Sequence, residues 1–333
     1  MWNDKSSVIF YMLSLYDNHR ANNLSFNDIV IIDTIYNHES IIHNNFNLVK
    51  KKNIIKLPKL IVLDFSYEGH DIYSSQNIYK CINRFHEEYS VNTIAISQNP
   101  IAVDNEKIFY YNFAWELFSN DKTQEKNTLK YKFNYLGGYP RKDKILFFNK
   151  LVDSPYLKES IYSFGTIPPH NKSLSTAKTL EDNPAIIDHD MLYSKHESKF
   201  WNSIFWSPYL TSRFSLVQET EMQNESRRYT EKTIKAIATK TPFVIAGNYK
   251  VIEQLKKDGF LTFEPYINQS YDSEPDQNKR SEMIIEEVNR LSRMSDNEWE
   301  DFYNTFLIDI IKYNFDRLQK LPSKEKFISS LKF

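Results

Sequence analysis

The stretch Phe214 to Gly247, FSLVQETEMQNESRRYTEKTIKAIATKTPFVIAG, runs in the order strand, loop, helix, strand. Phe214-Ser-Leu-Val-Gln218 has the apolar content of a buried strand, and Glu219 to Tyr229 is polar enough to read as a loop. Thr230 is a good N-cap, because its side-chain oxygen can take a first-turn N–H, and it opens a helix over Glu231 to Lys240 that buries Ile234, Ile237 and Ala238. Pro242-Phe-Val-Ile-Ala-Gly247 is the next strand. Asn248 then caps a helix through Lys257, with Val251, Ile252 and Leu255 inward and Gly259 stopping it, and Phe260 to Phe263 is a further short strand. Strands alternating with helices in this way predict an α/β fold with a parallel sheet.

Working outward, the amino-terminal half repeats the pattern. Strands are expected at Ser7 to Leu15, Asp28 to Asp33, Leu60 to Asp64, Thr93 to Ser97 and Lys107 to Tyr111. Between the third and fourth, Ile78, Cys81, Ile82 and Phe85 recur at helical spacing within Ser75 to Tyr89, which makes a βαβ unit. Ligands of such sheets gather at the carboxyl ends of the strands, so Asp64-Phe-Ser-Tyr-Glu68-Gly69-His70 and Ser97-Gln98-Asn99-Pro100 are candidate cleft loops.

The polar run Ser119 to Lys130 reads as a linker and divides the chain into a first domain over 1–125 and a second over 126–333. The second opens with a strand from Tyr131, then Gly137-Gly138, a helix over Arg141 to Leu151 and a strand over Ser160 to Phe164. Gly165 to Lys199 is weakly patterned and reads as a surface excursion. Two helical stretches close the chain, Lys279 to Arg293 and Asn297 to Leu321. The latter is preceded by a Ser295–Glu298 capping box and carries an aromatic face of Trp299, Phe302 and Phe306 followed by Ile310. It is expected to pack across the domain junction.

With 333 residues the chain is long enough for two α/β domains. Its 42 Lys and Arg against 43 Asp and Glu leave a net charge of -1, which supplies no bulk attraction for nucleic acid or an anionic membrane. One cysteine, Cys81, excludes an intrachain disulfide framework and a cysteine-rich zinc site and suits a reducing compartment. The apolar run Val8 to Leu13 is too short to span a bilayer and lacks a cleavage site after it, so no membrane span and a cytoplasmic location are expected.

Several residues have the chemistry of a binding site. A helix start gathers unpaired N–H groups and positive dipole, and Lys232 would add a cation and Glu231 an acceptor for hydroxyls. The same residues also suit ordinary capping, since Thr caps well and Glu is favoured in a first turn. Glu219, at a strand end, either orients a ligand hydroxyl or holds a metal, or is a loop acid paired with Arg227 or Arg228; Asp272 is a weaker version of the same case. Asp188-His-Asp190 follows no convincing strand and reads as a surface loop, and His38, His43 and His86 lack zinc-ligand spacing. Neither Gly-x-Ser-x-Gly nor a P-loop lysine is present, which disfavours hydrolase and NTPase chemistry.

Thr230-Glu231-Lys232 at a helix start, leading to Pro242-Phe-Val-Ile245, resembles the donor-binding segment of α-1,3-fucosyltransferase-like enzymes and other glycosyltransferases of the GT-B class. Phe214 to Thr220, Asp258-Gly259-Phe260, Thr262-Phe263 and Ser270-Tyr271-Asp272 are similar to a glycosyltransferase-like family of viruses and marine bacteria. The resemblance implies two Rossmann-like domains facing a cleft and an enzyme moving a sugar from a nucleotide donor, a GDP- or UDP-sugar, to a hydroxyl acceptor on a glycan, protein or modified base. Transfer to hydroxylated bases in DNA, with a nucleic acid as acceptor, as viral DNA-base glycosyltransferases carry out, is an alternative within the same enzyme class. Metal independence, and a host cytoplasm for a viral protein, follow from the same comparison. A degenerate fold that only binds, as a virion-associated protein would, is the alternative.

By that resemblance Glu231 contacts the donor ribose and Lys232 its diphosphate, with Thr230 opening the site and Arg141 as a second diphosphate contact; Arg141 is otherwise a solvated arginine at a helix start. Glu219 and Asp272 are expected to converge on the same helix start. Deprotonating the acceptor hydroxyl needs a base, for which Glu68 is the first candidate and His70 the second, both otherwise ordinary loop residues.

Overall fold

The structure, a computed structural model, describes residues 29–33, 60–66, 75–118, 128–137, 141–164, 204–222 and 226–331. The expected strand at Ser7 to Leu15, the candidate bases Glu68 and His70, Asp188 and Asp190, and most of the Ser119 to Lys130 linker lie outside the described residues. The chain divides into two compact units, Met1–Phe113 and Ala114–Phe333. Both are α/β with parallel sheets.

The first unit holds β1 (Ile29–Asp33), β2 (Leu60–Phe65), α1 (Ser75–Tyr89), β3 (Asn92–Ser97) and β4 (Ile108–Tyr110). The strands pair in the order β1-β2-β3-β4, all parallel, with Asp33 beside Asp64 and Phe65 beside Ser97. The βαβ unit read from the sequence is present: α1 turns Ile78, Ile82 and Phe85 onto Ile61, Leu63 and Phe65 of β2, and Cys81 packs at the edge of that cluster. Leu60–Phe65 is buried along its whole length, the expected state of a central parallel strand.

The second unit begins with a single helical turn, α2 (Ala114–Leu117). This turn belongs with the second unit because the Trp115 indole donates to the Tyr229 hydroxyl at 3.0 Å and the backbone N–H of Lys324 donates to Glu116. Then come β5 (Tyr131–Leu136), α3 (Lys142–Leu151), β6 (Ile161–Ser163), α4 (Trp206–Thr211), β7 (Ser212–Gln218), α5 (Glu231–Ala238), β8 (Phe243–Ala246) and α6 (Val251–Lys257). The strand order is β6-β5-β7-β8, again all parallel. Sequence order runs outward from β5 to β6 on one side and from β7 to β8 on the other. The direction of winding therefore reverses between β5 and β7, and in an open parallel sheet that reversal opens a crevice at the carboxyl ends of the two strands.

Two local expectations fail for identifiable reasons. Phe260 to Phe263 is not a strand: Asn314 accepts from the backbone N–H of Leu261 at 2.7 Å and donates to its carbonyl at 2.9 Å, so one side-chain amide supplies what a ladder would. Asn248 does not cap α6. Lys250 stands at the cap in a left-handed conformation, φ 63, and the Asp272 carboxylate reaches in from a distant turn to accept from Ile252 and Glu253, each at 2.9 Å. Gly259, at φ 86, does end the helix, a backbone region in which glycine is favoured.

The carboxyl-terminal helices are α7 (Gln277–Arg293), α8 (Asp296–Phe302), α9 (Ile308–Gln319) and α10 (Lys324–Ser330), the last of them not among the expected elements and capped by Ser323. The Ser295–Glu298 capping box is present. Between α8 and α9, Tyr303–Leu307 is a turn of π-helix. A π-turn inserts one residue into the α-helical count and so rotates the helix after it. The buried face accordingly passes from Trp299 to Leu307, Ile311 and Leu318, whereas the expected Phe306 is 40% exposed. No described helix is long and apolar enough to cross a membrane.

Candidate functional site

The crevice between β5 and β7 is built from four short segments. β5 ends just before Gly137, where a Cβ would come within 2.7 Å of the Phe164 ring and 3.0 Å of the Tyr135 hydroxyl, so only glycine fits without displacement. Tyr135 in turn donates to the Gln218 side chain, and Ser215 donates to Asn134 at 2.8 Å, which ties the ends of β5 and β7 together. Beyond Gly137 the chain enters α3, with Arg141 at its cap and Lys144 in its first turn. Beyond β7 it passes Glu219 and returns as Thr230-Glu231-Lys232 at the start of α5.

Glu219 is buried, and its carboxylate is spent on that helix start. One oxygen accepts from the Thr230 backbone N–H at 3.0 Å and from the Thr233 hydroxyl at 2.6 Å; the other accepts from the Thr230 hydroxyl at 2.6 Å. The helix start therefore carries an internal anion, and its bare amides are not the main attraction for a bound phosphate. Of the two arginines expected as alternative partners for Glu219, Arg228 donates to Glu221 instead, at 2.8 Å, and the three donors to Glu219 given above include neither Arg227 nor Arg228. Thr230 caps as expected, its oxygen facing the N–H of Lys232 at 3.5 Å.

Lys232 curls back over the same turn, with its ammonium 2.8 Å from Glu231, 3.1 Å from the Thr220 hydroxyl and 3.2 Å from that of Thr230. Burial pushes the Glu231 carboxyl up, but the charges of Lys232 and Lys235 and the hydrogen bonds from Lys232 and Thr230 outweigh it and hold it at about 2. Glu231 is thus an ionised acceptor beside a cation, and both keep some exposure, 14% and 26% of their side chains.

The residue that motif and spacing do not single out is Lys144. It is 4% exposed, and its amine donates to the Gly137 carbonyl at 2.6 Å. Burial pushes the amine down to about 7, the charges of Lys232 and Arg141 push the same way, and Glu231 and Glu219 oppose them. Arg141 and Lys232 therefore lie within electrostatic reach of Lys144. A signal was present: Lys144 stands one turn before Phe148 and two before Leu151, on the buried face of α3. Arg141 itself is half-buried and makes no side-chain cap bond.

Asp272 does not join this group. It caps α6, and burial pushes its carboxyl up to about 6 against the two N–H bonds it accepts. Arg280, also unforeseen, is buried at the start of α7 and donates to the carbonyls of Glu274, at 2.5 Å, and Met222, fixing the loop after β7. In the first unit, Asn99 caps the turn after β3 by accepting from Ile101 at 3.2 Å, and Gln98 donates to Asn112 at 3.1 Å. Asn99 thus holds its own turn, and Gln98 ties that turn to the segment after β4. Among the described residues no group of three or more His, Cys, Asp or Glu is arranged to hold a metal ion.

Chemically, the crevice gathers two cations, Arg141 and Lys232, and the buried Lys144 amine, against two carboxylates, one of them locked inward. Such a set favours a polyanion with a hydroxyl-bearing neighbour for Glu231. Compared with known proteins, the chain matches no family model, no curated protein and no solved structure.

Proposed function

We propose that the chain is a glycosyltransferase of the GT-B class and that its second unit binds the nucleotide-sugar donor. The observation that carries this reading is where the basic groups lie: Arg141 and Lys232 are within electrostatic reach of the buried Lys144 amine, beside the winding reversal between β5 and β7, the position at which open parallel sheets take nucleotides. Lys232 and Arg141 hold the donor diphosphate, and Glu231, kept ionised, accepts from the ribose hydroxyls. The Thr230-Glu231-Lys232 resemblance to fucosyltransferase-like donor segments points the same way.

In the reaction the acceptor oxygen attacks the anomeric carbon, the bond from that carbon to the phosphate oxygen breaks, and the nucleoside diphosphate leaves with the electron pair. The cations stabilise the charge that develops on the leaving oxygen. The acceptor proton passes to a base, for which Glu68 and His70 are the candidates. The test is release of nucleoside diphosphate from GDP- and UDP-sugars, with and without acceptors that include hydroxylated DNA bases. Binding without release would leave a protein that keeps the site and lacks the chemistry.

A further inference from the structure

Lys144 raises a problem of charge. An ammonium has three donors, yet the described residues give this one a single acceptor, the Gly137 carbonyl at 2.6 Å, and no ion pair. The charges that reach it are two cations, Arg141 from its own helix and Lys232 from α5, and two carboxylates, Glu231 from α5 and Glu219 after β7. Both carboxylates are committed elsewhere, Glu231 to Lys232 at 2.8 Å and Glu219 to Thr230 and Thr233. From α7, packed along α3, Glu282 pairs with Lys150 at 2.5 Å and Arg280 donates to backbone carbonyls. Asp143, next to Lys144, accepts from the Met222 N–H at 3.5 Å. Among the described residues no carboxylate pairs with an ammonium at this position, and the more distant fields of Glu231 and Glu219 only partly offset the burial and the two cations.

We infer that Lys144 is the inner ligand of the anion bound at this crevice, and that a diphosphate brings a proton with it, converting the Lys144 amine to the ammonium that grips it. This rests on the donor-site reading above but adds a residue and a coupling to it. Burial of the amine beside two cations, which holds it at about 7, leaves it largely neutral in mildly alkaline solution. A diphosphate placed against Arg141 and Lys232 reverses the local field. The bond that forms is N–H, the proton comes from solvent, and no electron transfer is involved.

The experiment is calorimetric titration of the full chain with inorganic pyrophosphate at about pH 8 in two buffers of different ionisation enthalpy. Wild type is expected to take up about one proton more per anion than Lys144→Met, and to bind at least about tenfold more tightly. Lys144→Arg, charged from the start, should bind without the extra proton, which separates the coupling from simple loss of a contact. Equal proton uptake by wild type and Lys144→Met, or no pyrophosphate binding by wild type, overturns the inference. Sugar transfer with equal uptake would keep the enzyme and remove the coupling; proton-linked binding without transfer would do the reverse.

Discussion

Glu219 accepts the Thr230 N–H at 3.0 Å on one carboxylate oxygen and the Thr230 hydroxyl at 2.6 Å on the other, so the end of β7 is clamped to the start of α5. The clamp fixes where Lys232 emerges. Because Glu219 is buried and also holds Thr233, Glu219→Ala leaves an N–H and two hydroxyls without their acceptor and is expected to cost about 2–4 kcal/mol in urea unfolding. Glu219→Gln, which keeps one acceptor oxygen, should cost less. An alanine variant as stable as wild type would show that the clamp contributes nothing.

Lys144 should make stability depend on pH in a particular direction. Its folded-state amine, at about 7, lies below its ordinary 10.5, so between those values the unfolded chain holds a proton that the folded chain lacks. Wild type therefore loses stability as pH falls from about 10 to about 7 and loses no more from this group below that. Lys144→Met should gain on wild type by a few kcal/mol, roughly 2–4, as pH falls through the same interval, read from urea midpoints in anion-free buffer. A constant difference across the range would mean that the amine titrates normally.

The π-turn at Tyr303–Leu307 decides which residue faces the core. Leu307, fully buried, should cost about 2–5 kcal/mol on replacement by alanine, whereas Phe306→Ala, at a 40% exposed position, should cost about 1 kcal/mol or less. The reverse ranking would restore an uninterrupted α-helix with the aromatic stripe inward.

Gly137, just after β5, has no room for a side chain. A Cβ there meets the Phe164 ring at 2.7 Å, and that ring stacks on Phe148 at 4.3 Å, so it cannot retreat freely. Gly137→Ala should lower the melting temperature, the equivalent of about 1–3 kcal/mol of overpacking, and weaken pyrophosphate binding by shifting the carbonyl that holds Lys144. A variant matching wild type in both measurements would show that the ring yields.

Much of this architecture was legible in the sequence because the elements are strongly periodic. Leu60 to Phe65 is an unbroken apolar run, and Ile234, Ile237 and Ala238 mark one face of α5, so strand and helix followed from spacing alone. What escaped depends on distant partners. Asn314 replaces a strand ladder at Leu261, and Asp272 takes the cap that Asn248 was expected to supply; neither partner is near in sequence. The π-turn shifts a stripe by one residue, which no fixed period anticipates. Of the candidate site, Thr230, Glu231, Lys232 and Arg141 could be chosen from motif and helix start, whereas Lys144 is one charge among several in the first turn of α3. Its burial is set by Phe148 and Leu151 on the same face of α3.

The donor site itself is tested most directly by thermal-shift titration of wild type, Lys232→Ala and Arg141→Ala with GDP-, UDP-, CMP- and dTDP-sugars and the matching free nucleotides. At least one of these nucleotides is expected to stabilise wild type, and each variant to weaken that ligand by about tenfold or more while keeping its own unliganded melting temperature. If none of the panel stabilises wild type, or if both variants respond as wild type does, the crevice between β5 and β7 is not a nucleotide-sugar site.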